Sequence, residues 1–396
     1  MTTPEPQPAG LITQIDSADG TVGISNPSGN RVDLSAQGGA NSLIGKTTPT
    51  LTALGIGAGA SETTGDNTAI GVNALHTNTG DDNTAVGANA LAANTTGYAN
   101  SAVGDGALAA NTTGRYNDAV GYHALAANTT GASNSALGHA ALNANTTGTG
   151  NNAVGDNALA ANTTGTGNNA VGVNALAANT TGINNSAVGD NALATNTTGA
   201  SNSALGHAAL NVNTTGTCNN AVGNNALAAN ATGINNNAVG SAALRANTTG
   251  INNNAVGNNA LVANSSGSNN SAVGNSALAA NTTGSSNSTV GNTSLTANTT
   301  GINNTAVGGT ALAANTVQSN AMGLGYATAA SANGAVAIGT DNTGAGAATA
   351  VVNEIALGTA LHTTKLLGTP AFVAGDQYLV IDAAGHIHKS GLGPVS

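Results

Sequence analysis

One phrase, N-x-A-V-G-x-x-A-L-x-x-N-T-T-G-x-x, returns every 17 residues from near Gly65 to beyond Val307. Its first large apolar residue recurs at Val86, Val103, Val120 and onward to Val307, and its Leu at Leu91, Leu108, Leu125 and onward to Leu312. A unit this short cannot bury an apolar face alone, so successive copies must stack, and the pattern predicts a solenoid. Helix is a poor solution, because 17 residues are not a whole number of 3.6-residue turns and every repeat carries Gly and Asn. The phrase predicts one coil per repeat with two short strands, N-x-A-V and A-L-x-x-N. The Gly after Val and the Gly of N-T-T-G are expected at corners that need a positive φ.

Composition agrees with a thin, evenly filled core. Of 396 residues 56 are Gly, aromatics make up 2% and Trp is absent, so the bulky side chains of a large single core are missing. Charged residues are only 6%, and equivalent residues in successive coils stand about 4.8 Å apart, where like charges repel. Asp105, Asp156 and Asp190 share one repeat position yet never fall in adjacent repeats; Asp66 above Asp82, at the irregular start, is the exception. The net charge of −10 with six Lys and Arg argues against a nucleic-acid partner. Cys218 stands where other repeats have Gly150 or Gly167 and reads as incidental. No basic segment followed by an apolar run opens the sequence, and no run approaches 18 apolar residues, so neither Sec export nor membrane insertion is expected.

Along the chain four regions are expected: 1–46, a Pro-rich start and a small β module around the turn Asn26-Pro27-Ser28-Gly29; 47–318, the repeat shaft; 319–360, irregular repeats such as GAVAIG; and 361–396, a β cap or tip containing QYLVIDAAGHIHKS. Within the shaft two Asn columns persist, one through Asn67, Asn83 and Asn100 to Asn304, the other through Asn78, Asn94 and Asn111 to Asn315. Stacked at strand spacing they are expected to form hydrogen-bonded ladders, alongside apolar ladders through Val86 and Leu91. Residues 130–143 and 198–211 are identical, four repeats apart, which points to duplication and tolerance of length change.

The A-V-G-x-x-A-L core, and Gly334-Ala335-Val336-Ala337-Ile338-Gly339-Thr340-Asp341-Asn342, resemble the head repeats of YadA-like trimeric adhesins over roughly residues 50–360. That family's repeat is usually shorter, and N-T-T looks like an insertion into it. The resemblance implies a left-handed parallel β-roll, three chains side by side and surface adhesion. It departs in lacking the family's signal peptide, coiled-coil stalk and membrane barrel. The segment from Ile355-Ala356-Leu357-Gly358 to Val380-Ile381-Asp382-Ala383-Ala384-Gly385 is similar to the stretch preceding an endosialidase-type intramolecular chaperone in phage tail fibres. DGTVGISNPSGNRVDLS resembles an N-terminal module of phage tail proteins.

Candidate sites are few. His386-Ile387-His388 places two imidazoles on one face of a strand, and in a threefold assembly six could surround an Fe or other divalent metal at the axis. This pattern resembles the H-x-H iron sites of some fibre tips; the alternative is a pair of ordinary solvent-facing residues. Tyr98, Arg115, Tyr116, Asp118, Tyr122, His123 and His139 fall close together at variable repeat positions, a composition suited to recognition, or to drift at exposed sites. Asn94-Thr95-Thr96 and its equivalents are N-x-T sequons better explained as turn chemistry. No nucleophile, His and Asp constellation repeats, and the array has no Glu after Glu62, so no enzyme is expected. The sequence therefore predicts an all-β parallel β-solenoid, homotrimeric, serving as a tail or surface fibre of a virion. Its N-terminus would join a baseplate or tail, and its rigid multivalent display would meet an extracellular host-surface glycan or protein. The alternatives are a bacterial adhesin head fragment and, further off, an ice-binding solenoid.

Overall fold

The computed structural model describes residues 21–25, 31–35, 51–61, 65–339, 348–349, 355–357, 379–381 and 387–389. The Pro-rich start, the Asn26–Gly29 turn and the expected boundaries at 46/47 and 360/361 lie outside them. The described residues contain strands and turns but no helix. The chain divides into two compact units, one ending at Thr164 and one beginning at Gly165.

In the first unit, β1 (Thr21–Ser25) and β2 (Arg31–Ser35) form an antiparallel hairpin with Ser25 opposite Arg31. Seven strands then stack in parallel: β3 (Leu51–Leu54), β4 (Asn67–Ile70), β5 (Thr84–Val86), β6 (Ser101–Val103), β7 (Asp118–Val120), β8 (Ser135–Leu137) and β9 (Asn152–Val154). Ala85, Ala102, Ala119, Ala136 and Ala153 lie directly above one another. The second unit repeats the scheme from β10 (Asn169–Val171) to β18 (Thr305–Val307) and β19 (Met322–Leu324). Beyond it the coil length changes. Val336 pairs with Met322 and Ile355 with Val336, joining β21 (Val336–Ile338) and β23 (Ile355–Leu357), while β20 (Ala329–Ala330) pairs with β22 (Ala348–Thr349). Finally β24 (Leu379–Ile381) and β25 (Ile387–Lys389) form an antiparallel hairpin. Each unit is thus a parallel β-solenoid with one coil per repeat.

The coil Asn100–Tyr116 serves as reference, with Asn100 at position 1 and Tyr116 at position 17. Asn100, Ala102, Ala107, Leu108 and Asn111 point inward and are fully buried, each at 0% exposure. The core is therefore a narrow stack of Ala, Leu and Asn. Small inward residues let opposite walls of the coil approach closely, which is why large aromatics are absent.

Two expectations need correction. The predicted second strand, A-L-x-x-N, is a turn: Leu91 and Leu108 sit in the left-handed region at φ 51° and 52°, as does the Leu of each regular coil. A left-handed conformation costs an L residue roughly 1–2 kcal/mol, and full burial of the Leu side chain returns about 1.5–3 kcal/mol. Burial wins, and coil-to-coil bonds such as Leu91 N to Ala107 O at 3.0 Å and Ala93 N to Ala109 O at 3.0 Å survive the bend. The second correction concerns Gly. The one after Val does take a positive φ, 137° at Gly104, but the Gly of N-T-T-G does not. That Gly is required by space: a Cβ on Gly114 would stand 2.3 Å from Asn111 Oδ1 and 2.4 Å from the Gly131 carbonyl oxygen.

Candidate functional site

Strand alternation sends positions 1 and 3 inward and positions 2 and 4 outward. The Val column is consequently on the surface. Val86 is half-buried, Val103, Val120 and Val154 are each 40% exposed and Leu137 is 51% exposed in the first unit. The second unit continues the column from Val171 at 38% to Leu324 at 46%. The apolar ladder through Val86 exists in register, but outside the core, where Ala at position 3 takes the inward place instead. In the second unit Ile183, Ile234, Ile251 and Ile302 at position 16 add exposed apolar surface at the corner preceding the strand.

At the two corners flanking the strand face of the first unit, the sequence-selected side chains fall into two groups. Tyr116 is at position 17 with φ 57°, and its N–H donates to the Tyr98 carbonyl at 3.2 Å, so the corner holds the two rings one coil apart. They meet edge to face, centroids 5.2 Å apart and planes at 80°, and the Arg115 guanidinium stands 5.8 Å from the centre of the Tyr98 ring. A hydrogen bond with Tyr98, followed by the charge on that phenol, pushes the Tyr116 hydroxyl above the usual tyrosine range, while Arg115 pulls the other way.

The second group lies at positions 6 and 7. Tyr122 and His139 occupy position 6 in adjacent coils and stack nearly parallel, centroids 5.5 Å apart at 7°. His123, at φ 54°, tilts against Tyr122 at 4.2 Å. It also fills space left by Gly106, where a Cβ would stand 3.3 Å from His123 Nε2. His139 Nδ1 meets Asp156 Oδ1 at 3.1 Å, with both side chains more than half exposed. Position 6 thus reads Asp105, Tyr122, His139, Asp156 through four coils: two stacked rings between two carboxylates. Asp105 and Asp156 were legible as a shared charge position, but not as parts of this cluster. Asp118 joins neither group; it is exposed on β7 and its backbone N–H donates to Asn134 O at 2.8 Å.

The Asn columns are structural. Asn100 Nδ2 donates to Asn83 Oδ1 at 3.1 Å, and Asn111 Nδ2 donates to Asn94 Oδ1 at 2.7 Å. Each amide also reaches a Gly carbonyl, that of Gly114 at 2.9 Å from Asn100 and 3.1 Å from Asn111. Asn94 is wholly buried, so its sequon is closed to a modifying enzyme in the folded coil. The first Thr of N-T-T also bonds within the stack, Thr112 Oγ1 donating to Thr129 O at 3.0 Å. The second Asn ladder ends at Asn298: position 15 of the next coil is Gln318 rather than Gly, and Asn298 Oδ1 and both polar atoms of Asn315 lack partners.

Of the expected metal pair, His386 lies outside the described residues, and His388 is on β25 opposite Val380. Among the described residues no group of three or more His, Cys, Asp or Glu could hold a metal ion, and no helix is long and apolar enough to cross a membrane. Cys218 is exposed and free.

The fold and its surface columns define a parallel β-solenoid with one strand per coil, an outward apolar ladder and two aromatic clusters at its corners. No protein-family model matches the chain, and neither a curated protein nor a solved structure matches it.

Proposed function

We propose that this chain is the shaft of a homo-oligomeric fibre that attaches a virion, through its tail or surface, to a host. The observation that carries this reading is the outward Val and Leu column. Soluble monomers rarely expose contiguous apolar patches beyond a few hundred Å². Each of these side chains has about two fifths of its surface left to bury, worth on the order of 1 kcal/mol. The ten from Val171 to Leu324 would together contribute roughly 10 kcal/mol, comparable with the estimated cost of association. A partner for this face must present apolar rows at the coil spacing, and a second copy of the chain does so. The resemblance to trimeric adhesin heads supplies the number three. Function is then mechanical: parallel display of identical surfaces multiplies weak contacts into avidity.

Solution mass by light scattering tests this. A mass near three times 37.3 kDa supports the trimeric fibre, and a monomer at micromolar concentration sinks it.

A further inference from the structure

We infer that the two aromatic clusters between Tyr98 and Asp156 are saccharide-binding surfaces. The inference rests on the attachment reading and deepens it, by assigning the ligand class of one part of the fibre. Outward positions elsewhere in the regular coils are mostly Asn, Ser, Thr, Ala, Val or Ile. Here Tyr98, Arg115 and Tyr116 meet at one corner, and Tyr122, His123 and His139 meet at the other. Tyr116 and Tyr122 keep 53% of their surface open to solvent.

Three features favour a sugar. An aromatic ring offers a flat apolar face to the C–H face of a pyranose, while the same side chain keeps a polar hydroxyl. Arg115 beside the first ring pair, and Asp105 and Asp156 on either side of the second, supply charged groups for hydroxyls, and hydrogen bonds to charged groups are the stronger ones. The coils stand about 4.8 Å apart, near the monomer repeat of an extended polysaccharide, so the two rings of each cluster can meet neighbouring sugars. A protein partner would call for a central buried anchor; these rings stand exposed at the coil corners.

The restrained corners also mean that little order is lost on binding, because backbone bonds from Tyr116 N to Tyr98 O and from Ala140 N to Tyr122 O at 2.9 Å fix the ring spacing.

The test is titration of the full chain with chitohexaose, maltohexaose and isomaltohexaose, followed by calorimetry and saturation-transfer NMR. Saturable binding of at least one hexasaccharide is expected, weakened at least tenfold when Tyr116→Ser and Tyr122→Ser are combined. That variant should fold, since Ser133 and Ser241 occupy the same two positions in other coils, and circular dichroism checks it. Tyr326→Ala, an exposed ring in the second unit, should leave binding unchanged. Absence of binding to all three sugars overturns the inference, as does undiminished binding by the combined Ser variant. An oligomer that ignores these sugars overturns the site alone; a monomer that binds them overturns the assembly and leaves the site standing.

Discussion

Replacing Gly199 with Ala should destabilise the solenoid, although the usual expectation has the opposite sign. Gly199 does not have a positive φ, and at such positions Gly→Ala ordinarily stabilises by about 0.4–1 kcal/mol through the unfolded chain. Here the new Cβ would stand 2.3 Å from Asn196 Oδ1 and 2.5 Å from the Gly216 carbonyl oxygen. Asn196 would have to leave its ladder. It donates to Asn179 Oδ1 at 2.8 Å and Gly199 O at 3.0 Å, and accepts from Asn213 at 2.8 Å. Asn213 keeps its bond to Gly216 O at 3.1 Å, so the groups that lose their partners are Asn196 Nδ2 and Asn196 Oδ1. At roughly 1–3 kcal/mol for each orphaned group, less the entropic gain of about 0.4–1 kcal/mol, the net loss is about 1–5 kcal/mol. In a unit of this size that lowers the melting temperature by roughly 2–20 °C. Calorimetric melting measures it, and Gly150→Asn is the control: Gly150 has nothing within 4 Å, and Asn184 and Asn235 hold its position at φ 56°. The chain already contains a related substitution, since Gln318 stands at position 15 where Asn315 is orphaned. A Gly199→Ala protein that melts at or above the parent temperature would refute the steric account of this glycine and of the ladder's end.

Three further outcomes follow from the same geometry. Thr289 and Ser294 replace inward Ala residues in one coil and hydrogen-bond to each other, with Ser294 also donating to Gly291 O at 2.9 Å; Ser294→Ala alone should cost about 1–3 kcal/mol by orphaning Thr289, and Thr289→Ala with Ser294→Ala should recover most of it in a denaturant-melting cycle. Val222→Asp combined with Val256→Asp places charges in the outward column two coils apart without touching the core, so light scattering should show loss of self-association with an unchanged circular dichroism spectrum. Removing the hydroxyl that holds Tyr116 protonated, by Tyr98→Phe, should shift the Tyr116 ultraviolet titration down towards the ordinary phenol value.

The period, the inward Leu and both Asn columns were legible because each is a residue type that stacks on itself. The direction of the Val column was not. In N-x-A-V both Ala and Val are apolar, so alternation gives no contrast, and size alone favours the wrong one for the interior. A cue was present: position 3 stays Ala in coil after coil until Thr289, while position 4 varies among Ile70, Val86 and Leu137, as a residue free of a tight core can. The missing second strand was hidden for a different reason, because nothing in a Leu announces a left-handed backbone that only its burial sustains. The aromatic residues could be picked out by type, but their division into two clusters depends on coil positions 16–17 and 6–7 lying at separate corners.

The direction of the side-chain bonds has a consequence for how long such a stack can grow. Asn111 donates towards the preceding coil and Thr112 towards the following one, while backbone bonds run both ways, as in Gly104 N to Val86 O and Leu108 N to Ala124 O. Their dipoles oppose along the axis, unlike those of a helix, which add. Adding coils therefore builds no mounting potential at either terminus, and the scaffold stays electrically quiet. Against that background a single Arg115 or Asp156 sets its own local field, and a visiting molecule senses the decoration rather than the stack beneath it.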